Sequence, residues 1–299
     1  MYNSYYGFKE PPFNLTPNSR FFYASNKHTE ALHSLIYAIE QRKGFIVITG
    51  DIGSGKTTVC RTLLNKLDAK TEVALITNTH LTSKDLLLTI LEDFEIDYKS
   101  GSKAKLISQL NDYLLDQLHK NHNVVLIIDE AQNLTPSVLE EIRMLSNLET
   151  EHEKLIQIIL MGQPELKKIL ALNRLEQLRQ RVSIYFHLTP LSKEETREYI
   201  LYRLKVASNS DRQYFTEEAL NKIYQYTRGV PRLINQLCDN ALLTCYVDEK
   251  PTVDEKTLQE VINESPMQMI GKENQSKEEN VKNKITDLSR DTPMGLNIL

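Results

Sequence analysis

The stretch Gly50-Asp-Ile-Gly-Ser-Gly-Lys56-Thr57 constrains this chain more than any other. It fits the pattern G-x-x-x-x-G-K-[ST] and sits between an apolar run, Phe45–Thr49, and a segment with helical spacing. Glycines at Gly50, Gly53 and Gly55 let the backbone turn its N–H groups inward around a phosphate. The start of the following helix adds a favourable dipole for an anion. The chain must therefore contain a buried strand that runs through a tight loop directly into a helix. The nucleotide-contacting set is Gly50, Asp51, Ile52, Gly53, Ser54, Gly55, Lys56, Thr57 and the next residue, Thr58. In it Lys56 reaches the β and γ phosphates, and the Thr57 hydroxyl ligates Mg²⁺.

The pattern around the loop is βαβα. A helix over 56–67 leads to a strand at Val73–Thr77. Helices over 83–94 and 103–119 lead to a strand at Val124–Asp129. A helix over 136–148, with Thr135 as cap and Pro136 in first position, leads to a strand at Leu155–Met161. Ser183–Leu188 is a further short strand. Such alternation predicts an α/β fold, a parallel sheet flanked by helices. After Pro190 no apolar strand remains. Ser192-Lys-Glu-Glu195 has the capping-box pattern for a helix to about Ala207, Thr216 caps a second, Gly229 ends it, Pro231 opens a third and Asp254 a fourth. The expected division is a Pro- and aromatic-rich strap at 1–25 packed in extended form, a nucleotide-binding domain at 26–190, a small helical lid at 191–264, and a disordered polar tail at 265–299. In that tail Val281, Ile285 and Leu288 keep helical spacing.

The second chemical signal is Val124-Val-Leu-Ile-Ile-Asp129-Glu130. An apolar strand delivers Asp129 to the carboxyl edge of the sheet, where ligands bind in α/β folds. Asp129 can hold Mg²⁺ through its water shell, and Glu130 can orient and deprotonate a water for attack on the γ phosphate. Gln163, after the next strand, is placed for the γ phosphate or the attacking water. Asn78 ends the strand that follows the loop helix and is placed to hydrogen-bond Glu130. Arg179 and Arg181 precede the last strand and can serve a neighbouring subunit's nucleotide or stand as a solvated pair. Arg232 starts a helix of the lid and can reach the phosphates.

Asn65-Lys-Leu-Asp68 fits a guanine-reading pattern but lies on the loop's own helix, where it cannot supply a base pocket. His119 and His122 gather no further ligands, so no metal beyond nucleotide-bound Mg²⁺ is expected. Lys and Arg number 36 against 40 Asp and Glu, for a net charge of -4, which excludes binding of nucleic acid or anionic lipid by bulk charge. The three cysteines, Cys60, Cys238 and Cys245, are too few for a disulfide scaffold and point to a reducing compartment. No signal peptide and no apolar run of the roughly 20 residues that span a bilayer is evident, so a cytoplasmic protein is expected.

With these motifs in place the sequence resembles the AAA+ ATPases. More narrowly it is similar to the general secretion pathway protein A (ExeA-type) family and to ATPases of exopolysaccharide and exosortase gene clusters. The resemblance covers about residues 5–264. It rests on Tyr6-Gly-Phe-Lys-Glu-Pro-Pro-Phe13, Gly44-Phe-Ile-Val-Ile-Thr-Gly50, Ile128-Asp-Glu-Ala-Gln-Asn-Leu134, Leu145-Ser-Asn-Leu-Glu149, Ile159-Leu-Met-Gly-Gln-Pro-Glu-Leu166, Leu178-Arg-Gln-Arg-Val182 and Gly229-Val-Pro-Arg-Leu-Ile-Asn235. It implies ATP and Mg²⁺ as ligands, with Gln163 as sensor 1, Arg181 or Arg179 as arginine finger and Arg232 as sensor 2. It further implies a ring-like homo-oligomer with ATP at subunit interfaces, and a protein partner in envelope secretion or polysaccharide export, with any membrane association made through that partner. Longer secretion members continue into a membrane span and a peptidoglycan-binding domain, whereas this sequence ends in a polar tail. Related regulators of DNA transposition share the core and bind DNA, which the composition does not favour.

Overall fold

The computed structural model describes residues 2–99, 101–208 and 212–264. The expectations for 265–299, including Val281, Ile285 and Leu288, lie outside them. Five strands form one sheet in the order β2-β3-β4-β1-β5: β1 Phe45–Gly50, β2 Thr71–Ile76, β3 Asn123–Ile128, β4 Gln157–Gly162 and β5 Val182–Leu188. All four pairings are parallel. Strands of this kind need helical crossovers, and the chain supplies them on both faces.

The helices of this part are α1 Tyr2–Tyr6, α2 Asn26–Glu40, α3 Lys56–Leu64, α4 Ser83–Asp93, α5 Lys103–His119, α6 Pro136–Leu145, α7 Pro164–Leu170 and α8 Glu176–Arg181. Strand alternation sorts the core. Phe45, Val47, Leu126, Ile128, Ile158 and Leu160 face α4 to α8. Ile46, Ile48, Val125, Ile127, Ile159 and Met161 face α2 and α3. Every residue of β1 and β4 is buried, as strands covered on both sides must be. Cap chemistry sets several helix starts: Thr82 and Asp85 form a capping box on α4, and Thr135 caps α6 ahead of Pro136.

Four further helices follow the sheet: α9 Lys193–Ser208, α10 Glu217–Thr227, α11 Pro231–Val247 and α12 Glu255–Glu264. Ser192 and Glu195 exchange the two bonds of a capping box, at 2.9 and 3.1 Å. Asp254 caps α12 through the Thr257 N–H at 2.8 Å. The core of this bundle includes rings from the far end of the sequence: Tyr6, Phe8, Phe13 and Phe21 pack with Tyr199, Tyr214, Phe215 and Leu237.

The structure corrects the sequence reading in several places. The N-terminal segment is not extended throughout, since it opens with α1 and carries a 3₁₀ turn at Ser19–Phe21. Its four buried rings go to the C-terminal bundle. Helices α7 and α8 were not expected, and α3 stops at Leu64 rather than residue 67. Strand β4 begins at Gln157, because Leu155 and Ile156 join the core from the preceding turn. Asn65 holds the segment through Ser19 at 2.9 Å, and the described residues contain no metal-ligand cluster.

All three thiols are buried. Burial pushes Cys60 up to about 12 and raises Cys238 and Cys245 as well. Since the thiolate is the reactive form, native protein at pH 8 should react with none of the three over minutes in a colorimetric thiol assay. Denatured protein should titrate all three at once. A rapid native reaction would show that one of these packed helices opens.

Candidate functional site

The carboxyl ends of β1, β3 and β4 converge on one cavity of about 390 Å³. Its floor is the glycine-rich loop. Gly53 and Gly55 hold φ of +78° and +99°, a left-handed backbone that L side chains rarely adopt. Gly55 is the cap position of α3. The Lys56 ammonium donates to the carbonyls of Gly50 at 2.7 Å and Asp51 at 3.0 Å. Burial lowers the Lys56 pKa from its ordinary value, while Glu130, Asp129 and Asp51 oppose that shift.

Strand β3 carries Asp129 to the same edge. Thr57 Oγ1 donates to Asp129 Oδ2 at 3.3 Å, so the two oxygen donors expected at a divalent cation are neighbours. Burial raises the Asp129 pKa; the Glu130 N–H, which donates to it at 2.9 Å, pulls the other way. Glu130 itself has φ +52°, a left-handed kink that turns its carboxylate off the strand axis. Hard oxygen donors of this type suit Mg²⁺ rather than a softer metal.

Glu130 is held by glutamines. Gln132 Nε2 donates to Glu130 Oε2 at 2.6 Å and Gln163 Nε2 donates to the same oxygen at 3.2 Å. Gln132 Oε1 accepts the Gln163 backbone N–H at 2.9 Å, which ties the two glutamines together. Gly162 leaves room for this, because a Cβ there would lie 2.7 Å from Gln132 Oε1. The expectation for Asn78 is corrected: it is exposed, and its side chain accepts the His80 N–H at 3.3 Å rather than bonding Glu130. The loop after β2 is extended beyond Ile76 and carries Asn78 outward; Thr79 turns in instead, donating to the Glu130 carbonyl at 3.3 Å. Gln132 lay in plain view in the Asp-Glu-Ala-Gln run, but only the 3₁₀ turn at Ala131–Asn133 folds it back.

Arg232, in the first turn of α11, meets the loop directly. Its N–H donates to Gly53 O at 3.2 Å, and a Cβ on Gly53 would lie 2.5 Å from the Arg232 Cβ. Arg179 and Arg181 lie elsewhere, at the amino end of β5. Arg179 donates to the Leu170 carbonyl at 3.2 Å, and Arg181 to the Ser146 hydroxyl at 3.1 Å. Neither lines the cavity.

The rest of the cavity wall comes from the N-terminal segment, which sequence reasoning had not assigned to the site. Asn14 to Asn18 and Phe21 to Tyr23 line it, together with His28. Buried Arg203 of α9 donates to the carbonyls of Pro12 at 2.6 Å and Asn14 at 3.3 Å, and lies over the Phe21 ring. From the other side Arg61 of α3 donates to the Pro17 carbonyl at 2.6 Å. The segment is thus clasped between the loop helix and the C-terminal bundle. Tyr199 extends the network, accepting from Arg203 at 2.8 Å and donating to Asn235 at 2.8 Å.

A parallel sheet in this order, with this loop at the end of β1 and a helical bundle behind it, is the fold of the AAA+ P-loop nucleotide-binding proteins. Residues 39–170 match a family model described as AAA domain. Within the class the chain is related to General secretion pathway protein A of Aeromonas hydrophila, with 43% identity over 247 residues that cover 82% of this chain and 45% of that protein. An uncharacterized HTH-type transcriptional regulator of Methanocaldococcus jannaschii is 26% identical over 159 residues, 50% of this chain and 37% of that one. The chain thus spans less than half the length of these curated relatives. Among solved structures, the Aeropyrum pernix ORC2 protein superposes with a TM-score of 0.67 at 14% identity, covering 86% of this chain and 72% of that one. Cdc6p of Pyrobaculum aerophilum gives 0.63 at 17%, covering 81% and 67%. At these identities the likeness is one of fold.

Arg203→Met keeps most of the side chain's bulk and removes its donors, leaving two backbone carbonyls of the clasped segment without their partner. The expected cost is about 2–3 kcal/mol in denaturant unfolding, the range for hydrogen bonds to a charged group. Limited proteolysis should cut near 14–18 faster in the variant than in the parent. Equal cleavage rates would mean that Arg203 does not hold the segment.

Proposed function

We propose that the chain binds ATP in this cavity and hydrolyses it in a Mg²⁺-dependent reaction. The supporting observation is the meeting of Lys56, Thr57, Glu130 and Gln163 around one cavity, with Asp129 bonded to Thr57 beside it. The loop N–H groups and Lys56 hold the phosphates. Thr57 and Asp129 would hold the ion, which when bound neutralises charge on the β and γ oxygens. The Glu130 carboxylate takes a proton from water as the water oxygen bonds to the γ phosphorus. The bond to the β–γ bridging oxygen breaks and ADP leaves with the electron pair. Gln163 shares a carboxylate oxygen with Gln132, so it is placed to report occupancy of the γ position. Arg232 is the lid's contact with the loop.

Arg181 or Arg179 acts in trans in this reading. Both stand at the amino ends of the strands, away from their own cavity, which is where a residue serving a neighbour's nucleotide belongs. The proposed working form is a ring-like homo-oligomer. Its partner is a protein of envelope secretion or polysaccharide export, reached from the cytoplasmic side; the 43% identity to General secretion pathway protein A supports this. Among the described residues no helix is long and apolar enough to cross a membrane.

Glu130→Gln should keep nucleotide binding and lower turnover about 10²-fold or more, the range for a lost general base. Lys56→Ala should weaken binding itself. Turnover of the Glu130 variant at the parent's rate would remove Glu130 from the role of base.

Mixing Lys56→Ala with Arg181→Ala chains, and separately with Arg179→Ala chains, tests action in trans, because one chain brings an intact site and the other an intact finger. Recovered activity is expected in one mixture. No recovery in either, with mixed oligomers confirmed by mass, would count against it. With a net charge of -4, no tight duplex-DNA binding is expected at physiological salt. A salt-sensitive mobility shift below micromolar protein, with DNA-stimulated turnover, would replace the envelope reading by a DNA-associated one.

A further inference from the structure

His28 is the buried polar group at the site that the proposed chemistry leaves unused. It lies in the first turn of α2, far from the loop in sequence, yet its ring lines the cavity beside Gly55. Its two nitrogens have fixed partners. Nε2 lies 2.9 Å from the Ser54 carbonyl oxygen, and Nδ1 lies 2.7 Å from Ser25 Oγ. A carbonyl only accepts, so Nε2 carries the proton. In the neutral ring Nδ1 is then the acceptor, and the Ser25 hydroxyl donates to it. Ser25 is also the cap of α2, accepting the His28 N–H at 3.4 Å, so the tautomer is set by the same residue that starts the helix. The ring is only 5% exposed, and burial lowers its pKa, in keeping with a neutral imidazole.

The acceptor matters more than the ring. The first bond of α3 runs from the Val59 N–H to the Gly55 carbonyl, which leaves the Ser54 carbonyl outside the helical ladder. That carbonyl shares a planar trans peptide with the Gly55 N–H, so the two point in opposite directions. Fixing the Ser54 oxygen on His28 therefore turns the Gly55 N–H away from the imidazole. With Gly55 at φ +99°, a conformation open to glycine on either side of the plane, an unanchored peptide here could flip. The contact is also close enough to dictate the residue: a Cβ at position 55 would lie 2.6 Å from His28 Nε2.

We propose that His28 is a positioning residue for phosphate binding, an Nε2–H donor that holds the Ser54–Gly55 peptide in the one orientation that presents the Gly55 N–H to the β phosphate. This rests on reading the loop as the phosphate cradle. It acts through the loop and touches no reacting atom.

The test is binding of fluorescent ATP, ADP and AMP analogues to the full chain, as parent, His28→Ala, His28→Gln, Ser25→Ala and Lys56→Ala. Glutamine places an amide N–H near where Nε2 sits and should restore the bond. His28→Ala should weaken ATP and ADP about tenfold, the size of one hydrogen bond lost at an anion site. It should leave AMP, which has no β phosphate, within about twofold. His28→Gln should stay within about threefold of the parent for all three, and Ser25→Ala, which frees the tautomer, should fall between. Thermal unfolding without nucleotide identifies any variant that fails to fold, and the folded glutamine variant then decides the matter. Parent-like ATP binding by His28→Ala, a folded His28→Gln as weak as alanine, or an equal loss for AMP would each overturn the proposal while leaving the site intact. A Lys56→Ala chain that binds ATP as well as the parent would instead overturn the phosphate-cradle reading, and this proposal with it.

Discussion

The structure turns on how closely other parts of the chain approach the backbone of one loop. A Cβ on Gly50 would lie 2.9 Å from the Leu188 carbonyl at the end of β5, one on Gly53 would meet the first turn of α11, and one on Gly55 would meet the first turn of α2. Three segments remote in sequence converge on three glycines. The loop is thus defined from outside as well as from within. A side chain at these positions would have to displace the Leu188 backbone, the Arg232 Cβ or the buried His28 ring. A glycine-rich loop that would be flexible alone is thus hemmed in from three sides.

Around that loop the electrostatics run against burial. Removing Lys56 from water disfavours its ammonium, and removing Asp129 disfavours its carboxylate. Each shift has a sign. Lys56 with a lowered pKa and Asp129 with a raised one both destabilise the fold near neutral pH relative to exposed groups, where both would be ionised without cost. The two charges relieve each other only in part, because Lys56 spends its donors on the carbonyls of Gly50 and Asp51. An anionic phosphate beside Lys56 and a cation beside Asp129 would relieve both. The same burial that weakens the fold therefore favours a ligand carrying both signs of charge.

How much of this could be read from the sequence depended on whether the signal was local. The loop, β1, β3 and the Asp129–Glu130 pair were legible because a buried strand, a glycine run and a terminal carboxylate are each written in consecutive residues. Capping by Ser192, Thr216 and Asp254 was legible for the same reason. Helices α7 and α8 were missed: each is under eight residues, too short for periodicity to speak. The Asn78 assignment erred because a polar residue at a strand end says nothing of which way the following loop turns. His28 and Arg203 were invisible on their own, since each owes its place to a partner 26 or 191 residues away, while Gln132 stood in a legible run but owes its contact with Glu130 to a turn that reverses the chain.

The N-terminal segment shows what such non-local contacts achieve. Its rings Tyr6, Phe8, Phe13 and Phe21 sit in the core of α9 to α12, while its Pro17 carbonyl is held by Arg61 of α3 and its Ser19 hydroxyl by Asn65 just past that helix. The bundle and the sheet are therefore joined by the chain running out of β5, by this segment crossing the cavity and by Arg232 on the loop. Arg203 links the crossing to Tyr199 and Asn235, and Asn235 lies one turn along α11 from Arg232 at the loop. A displacement of α11 relative to the loop must then strain the Arg203 contacts or move the segment with it. Buried hydrogen-bonded contacts of this sort are costly to break singly, since each leaves an unsatisfied group behind. Bundle, segment and loop are thus linked by one continuous set of hydrogen bonds from Arg203 to the start of α11 at the loop.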